Sequence, residues 1–238
     1  MKQLMWGGFF QIRSEDSAKG RIEDYVFLCF FLGNDFLPHY PYINLRTNGM
    51  CVLMDIYRKT ILKGELLIKD EKLDWSNILK IIERLGNMEE ELMLREHIER
   101  ENNEKIKYRE RTAKELREKV LRIPLIYREE EKYVNPRLKG WRKRYYKGLW
   151  LELGEEGIDE VAMNALEGLE WVYRYYKYGE NSEWWSLSKT GILMSDIYKK
   201  KDEWLARVAK GDTIRPTTKK EYKTEKGYKK YLWEIEIH

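Results

Sequence analysis

Cysteine and histidine are scarce in this chain, which limits the metal and redox chemistry that it can carry. Its 238 residues include two cysteines and three histidines, and Cys29 and Cys51 are not part of a Cys-x-x-Cys pair. A structural zinc site needs four such ligands at short spacings, so we expect none here. Both cysteines lie among apolar residues and are predicted to be buried thiols in a reducing compartment.

The sequence also lacks long hydrophobic runs and internal repeats, and we expect no leader. Its apolar runs are far shorter than the roughly 20 residues of a membrane helix. The opening residues, MKQLMWGGFFQIRSED, are broken by glycine and soon become charged, unlike a signal peptide. We therefore predict an intracellular protein, of the cytoplasm, the nucleus or a viral factory, that has no membrane partner.

Neither sign of charge dominates, because 45 basic residues stand against 41 acidic ones and the net charge is +4. Charged residues make up 36% of the chain and aromatic residues 13%, and the charged share is far above that of an ordinary domain. The length suffices to bury a substantial core. We predict one domain over 1–238, in which Tyr and Trp provide much of the packing.

The dominant pattern in the sequence is helical periodicity. Apolar residues recur every three or four positions over 48–63, 74–85 and 157–178, which predicts three amphipathic helices. Asp74 is the predicted N-cap of the second helix. The predicted stops or kinks are the glycines that follow these stretches: Gly64, Gly86 and Gly179. Residues 124–140 resemble a loop, and shorter helices are predicted for 141–149 and around 192–209.

Residues 88–121 are rich in Glu, Lys and Arg and have too few apolar positions for a coiled coil. They predict a long, mostly solvated helix with i,i+4 pairs such as Glu101–Lys105, closed by Pro124. The fold class is therefore mainly α, an irregular helical domain with one long charged helix. Its predicted parts are the first helices (20–64), the charged insertion (65–123), an aromatic-rich helical part (124–209) and a basic tail (210–238), whose ending YLWEIEIH alternates like a short strand.

The most informative segment is DYVFLCFFLGNDFLPH, residues 24–39. The apolar run from Tyr25 to Leu32 predicts an element that is buried on all sides, and Asp35 follows its end at once. A carboxylate is costly to bury without a cation or hydrogen-bond donors. Two interpretations remain open from these residues alone: Asp35 is a metal ligand, or it caps the next helix.

GNDFLPH, preceded by DYVFLCFFL, resembles the signature of the Xrn family of 5′→3′ exoribonucleases. Later blocks resemble the family's helical region in the same order: GWRKRYYK (140–147), LEGLEWVYRYYKYG (166–179) and the segment with Ser182, Trp184 and Trp185. The similarity covers roughly residues 20–200. It implies that Asp35 is both a catalytic residue and a ligand of divalent metal, Mg²⁺ or Mn²⁺.

The resemblance also implies a long N-terminal region with most of the metal-binding carboxylates, and this sequence reaches GNDFLPH within 35 residues. A two-metal mechanism needs several carboxylates to hold both ions. The nearby acids, Glu15, Asp16, Glu23 and Asp24, are expected to be solvated charges. The remaining carboxylates are therefore expected from a separate polypeptide that carries the nuclease region, as a partner, or from an upstream segment.

An aromatic and basic stretch offers a second candidate site. Arg142, Lys143 and Arg144 lie beside Trp141 and Tyr145, and such a mixture suits single-stranded RNA, whose phosphates need cations and whose bases stack on rings. The alternative is an amphipathic helix with its aromatic residues in the core and its cations in water.

Two adjacent tryptophans form a third candidate. Trp185 is the preferred base-stacking residue by the resemblance, and Trp184 is the second choice.

The sequence thus predicts the helical part of an Xrn-like exoribonuclease that degrades 5′-monophosphorylated RNA and is inactive without its acidic region. The alternative is a non-catalytic RNA-binding or scaffold protein derived from the same family. A purely structural helical protein, in which Asp35 is only a cap, is the third interpretation.

Overall fold

The computed structural model describes residues 15–106, 111–126, 129–149, 155–179, 184, 186–188, 191–215, 217–223 and 229–235. The described chain is mainly helical, which confirms the predicted class. Its helices are α1 (Glu15–Cys29), a short 3₁₀ turn (Phe30–Leu32), α2 (Gly49–Thr60), α3 (Trp75–Asn87), α4 (Glu89–Glu104), α5 (Ala113–Ile126), α6 (Glu129–Val134), α7 (Trp141–Leu149), α8 (Glu155–Tyr178), α9 (Met194–Lys199) and α10 (Lys201–Lys210).

Two antiparallel hairpins complete the described fold. The first pairs β1 (Ile68–Lys69) with β2 (Lys72–Leu73), and the second pairs β3 (Thr217–Lys223) with β4 (Lys229–Ile235). Asp70 and Glu71 join the first pair with φ values of 48° and 60°, as a tight two-residue hairpin turn requires. The sequence predicted β4 from its alternation and missed the other three strands.

The core lies where α1, α3, α8 and α9 meet. Fully buried side chains from these helices include Phe27, Leu28, Ile78, Ile82, Leu85, Leu166, Leu169, Val172 and Ile197. Gly86 lies against α9 so closely that a Cβ atom there would be 3.0 Å from Ser195 Cα. Gly86 was expected to end or kink α3, but the helix continues to Asn87. The missing side chain at Gly86 instead allows the close contact between α3 and α9.

Several sequence predictions hold at the level of single residues. The Asp74 side chain accepts a hydrogen bond from Asn77 N, 3.1 Å away, and caps α3. The predicted helix over 141–149 is α7 with the same bounds. Helix α8 ends at Tyr178, and Gly179 follows with φ of 70°, the left-handed conformation that favours glycine after a helix.

The apolar run in α1 is not buried on all sides, as the sequence predicted. Phe27, Leu28 and Phe31 are fully buried, whereas Val26 is 50% exposed. A helix on the surface of a domain has an outer face, and an unbroken apolar run fills that face too. The cysteines also differ from expectation, because Cys29 is half-buried and Cys51 is exposed, both as free thiols.

The charged stretch forms two helices, α4 and α5, where one was predicted. Helix α5 continues past Pro124 to Ile126, and α6 lies inside the segment predicted to be a loop. Helix α4 is not mostly solvated either, because Glu96 and Arg100 are buried and joined by a 2.7 Å ion pair. Thr47 Oγ1 donates a further 2.7 Å hydrogen bond to Glu96.

The start of α5 shows a reciprocal cap that the sequence analysis missed. Glu115 N donates to Thr112 Oγ1 at 3.2 Å, and Thr112 N donates to the Glu115 carboxylate at 3.1 Å. This is the capping box that a Thr-x-x-Glu sequence permits.

No helix in the described part of the chain is both long and apolar enough to cross a bilayer.

Candidate functional site

The GNDFLPH residues form a loop between the 3₁₀ turn and α2, which we call the Asp35 loop (residues 33–39). Asn34 closes it on itself, because its Oδ1 accepts hydrogen bonds from Phe36 N at 2.9 Å and Leu37 N at 2.8 Å. Asn34 N in turn donates to Leu37 O at 2.9 Å. An Asn side chain that binds the backbone two or three residues ahead is a common way to fix a turn. Asp35 is therefore held at the tip of an ordered turn.

Gly33 lets this loop fold back on itself. Its φ is 83°, and a Cβ atom at this position would lie 2.7 Å from His39 N. Only glycine takes this backbone conformation without strain, and only glycine leaves room for the backbone of His39, where the loop folds back. On its other side the loop is fixed to the rest of the chain, since Gly191 N donates to His39 O at 3.1 Å.

Asp35 is exposed, and the interpretation of it as a helix cap is wrong. The next described helix, α2, begins at Gly49, so no helix starts near Asp35. Within the described residues Asp35 makes no ion pair, and no group of three or more His, Cys, Asp or Glu side chains is placed to hold a metal ion. Asp35 thus presents one carboxylate to solvent, and the role of this residue as a metal ligand stays a prediction.

The nearby acids differ from the solvated charges that were expected. Asp24 is fully buried and accepts hydrogen bonds from Leu67 N at 2.9 Å and Ile68 N at 3.1 Å. Burial raises the pKa of the Asp24 carboxyl despite these donors. Glu23 pairs with Lys177 at 3.2 Å, and the side chains of Glu15 and Asp16 lie outside the described residues. Asp24 and Glu23 are therefore bound within the fold.

A cluster of aromatic rings packs against Phe36 of the Asp35 loop. The ring of Phe36 meets Trp171 at 5.0 Å and Tyr175 at 4.9 Å, both edge to face, and Trp171 stacks on Tyr175 at 5.2 Å. Edge-to-face and offset-stacked pairs are the favourable geometries for aromatic rings. Because Trp171 and Tyr175 are one turn apart on α8, this helix sets the position of the loop.

The two adjacent tryptophans have different standing in this structure: Trp184 belongs to the aromatic cluster, and Trp185 is outside the described residues. Trp184 is 2% exposed and stacks on Trp171 at 5.6 Å, and a Cβ atom at Gly168 would lie 2.5 Å from its ring. Trp184 therefore packs inside the protein. Trp185, the preferred stacking residue, lies outside the described residues. RNA stacking by either residue stays a prediction.

The basic triplet on α7 separates into two inward-bound arginines and one exposed lysine. The Arg142 guanidinium binds Glu89, Ser195 Oγ at 2.7 Å and Asp196 at 2.8 Å. Arg144 donates to backbone oxygens, among them Val134 O at 2.9 Å and Lys139 O at 2.8 Å. Lys143 is exposed.

The same helix faces the core with its aromatic residues, since Trp141 and Tyr145 are buried. This is the arrangement that the sequence analysis gave as the alternative to an RNA site. It leaves Lys143 as the member of the triplet that is exposed to a ligand in this structure.

Buried carboxylates bound to arginine are the feature that sequence reasoning missed. Glu167 on α8 is fully buried and binds Arg207 at 2.6 Å and Arg215 at 2.5 Å. Glu89 is buried against Arg142, and burial raises the pKa of its carboxyl. A signal was available, because Glu167 interrupts the apolar face of α8 next to Leu166, but the sequence does not show which distant arginines would meet it.

Comparison with known proteins identifies a family whose profile matches this chain. The profile of the Xrn1 helical domain matches residues 17–136, which is just over half of the chain and includes the Asp35 loop.

Curated relatives match over shorter segments. The 5′-3′ exoribonuclease 2 of Candida glabrata is 37% identical over 79 residues, 33% of this chain and 8% of the relative. The protein of the same name from Eremothecium gossypii is 40% identical over 78 residues, 32% of this chain and 8% of the relative. The one from Saccharomyces cerevisiae is 30% identical over 110 residues, 46% of this chain and 11% of the relative. The chain thus spans about a tenth of the length of these relatives.

Proposed function

This chain belongs to the Xrn1 helical domain family, and on that premise we propose that it is the helical part of a 5′→3′ exoribonuclease acting on 5′-monophosphorylated RNA. The observation that carries the proposal is the Asp35 loop. Its sequence resembles the signature of the Xrn family, its turn is fixed by Asn34, and its carboxylate is exposed. A carboxylate held rigidly and unpaired at a surface is ready to bind a cation that arrives with other ligands.

Asp35 fits one position in a magnesium or manganese site, because carboxylate oxygens are ligands that these hard cations prefer. If bound, a pair of such ions would supply charge stabilisation to phosphodiester cleavage. A pair of ions needs several carboxylates, and the described acids nearest to Asp35 in the sequence, Glu23 and Asp24, are bound to Lys177 and to backbone amides. We propose that the remaining ligands come from a nuclease region outside these 238 residues, on a separate polypeptide or an upstream segment.

Reconstitution tests this proposal directly. The chain alone should release no mononucleotides from 5′-monophosphorylated RNA in Mg²⁺, and addition of an acidic Xrn-type nuclease region should start processive release. Asp35→Asn should abolish the restored activity. Asp55→Asn is the matched control, because Asp55 is an exposed aspartate elsewhere, on α2, and it should leave the restored activity unchanged.

Two results would contradict the proposal. Processive degradation by the pure chain would show that it needs no further carboxylates. Full restored activity of Asp35→Asn would remove Asp35 from the catalytic site, whatever the chain does to RNA by other routes.

We also propose that the α7 surface and Trp185 contact single-stranded RNA. The proposal for the α7 surface is supported by Lys143, which is exposed, whereas the neighbouring Arg142 and Arg144 are bound within the protein. Lys143→Ala should weaken binding equally for all RNA sequences, since phosphate contacts carry no sequence information. Lys114→Ala, an exposed lysine on α5, is the control in the same salt titration, and equal losses from both would show that the effect is general charge.

Trp185 should contribute by stacking, so Trp185→Ala is expected to weaken binding by roughly 1–3 kcal/mol with little change in salt dependence. Trp185→Phe keeps a ring and should retain most of the affinity. A variant that melts normally and binds like the wild type would exclude a stacking role for this residue.

A non-catalytic RNA-binding or scaffold protein of the same family is the second candidate. The observation that favours it is that the described residues hold no cluster of three potential metal ligands. RNA binding without any gain of hydrolysis in the reconstitution experiment would support this candidate. For either function we propose an intracellular site of action, in the cytoplasm or nucleus, which the free thiols of Cys29 and Cys51 support.

A further inference from the structure

Helix α1 leaves a line of apolar side chains open to solvent. Ile22 is 55% exposed and Val26 is 50% exposed, and Cys29, three residues further along, is half-buried. Residues at i, i+4 and i+7 share one face of a helix. The opposite side of α1 carries Asp24 and Leu28, which are fully buried. We call the exposed line, residues 22, 26 and 29, the α1 outer face.

This apolar surface continues from α1 onto α8. Phe30 lies one turn after Val26, and the ring of Tyr176 on α8 stacks on the Phe30 ring, with their centroids 5.8 Å apart. Tyr176 is itself 57% exposed. An ion pair between Glu23 and Lys177, 3.2 Å apart, joins the two helices at the same place. The α1 outer face and Tyr176 therefore belong to one surface.

The same surface reaches the Asp35 loop. The ring of Phe36 lies edge to face with that of Tyr176, with their centroids 6.5 Å apart, and Phe36 directly follows Asp35. The exposed carboxylate thus lies at the border of an apolar surface that extends over α8 and α1. Single exposed apolar residues are normal, whereas a continuous apolar surface beside polar groups is typical of a place where another protein binds.

Two observations favour one occupant for this surface. Asp35 offers one carboxylate, and a pair of metal ions needs several, so the protein that brings the others must lie against Asp35 and its border. The matched segment is 8% of the Candida glabrata relative and 11% of the Saccharomyces cerevisiae relative, so in those proteins it lies within a far larger polypeptide. A second copy of this chain would bring only its own Asp35 to the first, which is too few ligands for two ions.

We propose that the α1 outer face, together with Tyr176, is the docking surface for the acidic nuclease region that supplies the remaining carboxylates. Its apolar side chains provide the contact, and Asp35 at its border faces the acids of the partner. An apolar centre with a polar border is the usual arrangement of a protein interface. This inference rests on the proposed function, because its occupant is the nuclease region that the function requires.

The chain offers a matched pair of variants to test this surface. Association of the full chain with a separately expressed acidic Xrn-type nuclease region is measured by sedimentation without added metal. Ile22→Gln/Val26→Gln replaces apolar contacts by polar groups that suit a helix, and it should weaken binding about 10- to 100-fold. Leu116→Gln/Val120→Gln is the control, because these residues have the same spacing on α5 and are 49% and 53% exposed, and it should leave the dissociation constant unchanged.

The two cysteines report the contact in the wild-type chain, independently of any substitution. Cys29 lies on the α1 outer face, and Cys51 is exposed on α2. Alkylation of each thiol is followed by mass spectrometry at mildly alkaline pH, because burial raises the pKa of the Cys29 thiol. When the nuclease region occupies about nine-tenths of the chain, Cys29 should react about tenfold more slowly, and Cys51 should react at its former rate.

Several results would overturn the proposal. Equal weakening by the two double variants would show that the α1 outer face is not special, and so would unchanged binding in Ile22→Gln/Val26→Gln. A wild-type chain that does not bind the nuclease region, or binds it without protection of Cys29, would exclude this surface. Protection of Cys29 that grows with the concentration of the chain alone would assign the surface to a second copy. Faster alkylation of Cys29 after removal of residues 1–14 would assign it to that segment.

Failure of the docking surface can be distinguished from failure of the proposed function. Asp35→Asn should bind the nuclease region like the wild type and restore no hydrolysis. Ile22→Gln/Val26→Gln should reach the wild-type rate of hydrolysis when the concentration of the nuclease region is raised by the factor that its binding has lost. Loss of hydrolysis in Asp35→Asn together with unchanged binding in Ile22→Gln/Val26→Gln would refute the docking surface and leave the proposed function standing.

Discussion

Glu167 and Asp35 are carboxylates of one chain in opposite situations. Glu167 is fully buried in α8 and is bound by Arg207 and Arg215. Asp35 is exposed at the tip of a loop and has no ion-pair partner within the described residues. The loop itself is not loose, because Asn34 fixes it and Phe36 packs on Trp171.

The comparison shows how a structural carboxylate differs from a candidate ligand. Removing a carboxylate from water costs free energy that only close partners offset, so a buried acid must bring its cations with it. An acid that will share a metal ion with other ligands must remain accessible while its backbone is fixed. Substitutions at the two kinds of position should therefore have opposite profiles, with large effects on stability at one and on function at the other.

The largest expected effect is at Glu167. Glu167→Gln removes the charge from between two arginines and should lower the free energy of unfolding by about 3 kcal/mol or more, because loss of one partner leaves buried charge uncompensated. Urea unfolding followed by circular dichroism measures this change. Asp159→Asn is the control, since Asp159 pairs with Lys200 at 2.7 Å but is 55% exposed, and a surface pair contributes less than about 1 kcal/mol.

Stability of Glu167→Gln within about 1 kcal/mol of the wild type would break the comparison. It would mean that the two arginines find water or other partners when the charge is removed.

The second effect is at Asn34, which holds the Asp35 loop. Asn34→Ala removes the acceptor of two backbone hydrogen bonds and should cost about 1–2 kcal/mol. The amide protons of Phe36 and Leu37 should also exchange faster with solvent. Asn34→Asp keeps the acceptor oxygens and should retain most of the stability. Unchanged exchange of both amides in Asn34→Ala would show that the aromatic packing alone holds the loop.

The helices could be predicted where one apolar face and a terminal signal agree. The periodicity of α8 and Gly179 after it fixed that helix to within a few residues, and Asp74 located the start of α3. The charged stretch could not be predicted in the same way. Glu96 and Arg100 face each other in a buried site to which Thr47, a residue distant in sequence, also contributes, and the local pattern does not show this tertiary contact.

At the candidate site, too, local sequence predicted some features, and others depended on distant residues. The motif identified the Asp35 loop, but local spacing could not decide between a cap and a ligand, because that decision depends on whether a helix follows. The structure excludes the cap. The burial of Trp184 was also beyond the sequence, since its ring lies where a side chain at Gly168 of α8 would be. The Gly33–Asn34 dipeptide was a turn signal that could have been used, because an Asn side chain can bond the backbone two residues ahead.

His97 is intermediate between the two kinds of site and should show a smaller, pH-dependent effect. Its side chain is mostly buried, and burial lowers its pKa, while Glu101, 3.3 Å away, opposes the shift. The folded state therefore binds the proton less readily than the unfolded chain does. The His97 contribution to stability is present above the unfolded pKa of about 6.5 and is lost as pH falls through the folded value.

His97→Gln cannot titrate, so the wild type should lose stability relative to this variant as pH falls below about 6.5. The difference between the two unfolding curves across this pH range isolates the residue, since all other groups are shared. The expected loss is smaller than that caused by Asn34→Ala. A difference that is constant with pH would show that protonation of His97 is not linked to folding.

The smallest expected effect on stability is at Asp35, and it is the sharpest test of the comparison. Asp35→Asn and Asp35→Ala should both leave the free energy of unfolding within about 0.5 kcal/mol of the wild type, because the side chain is exposed and caps no helix. A cap would distinguish the two variants, with a loss of about 1 kcal/mol for alanine alone. Melting curves with and without Mn²⁺ complete the test. If Asp35 binds the ion, any metal-induced stabilisation of the wild type should be reduced in both variants, while their stability without metal stays unchanged. Equal metal shifts in all three proteins would remove Asp35 from the ligands of the ion, and the exposed carboxylate would then need another explanation.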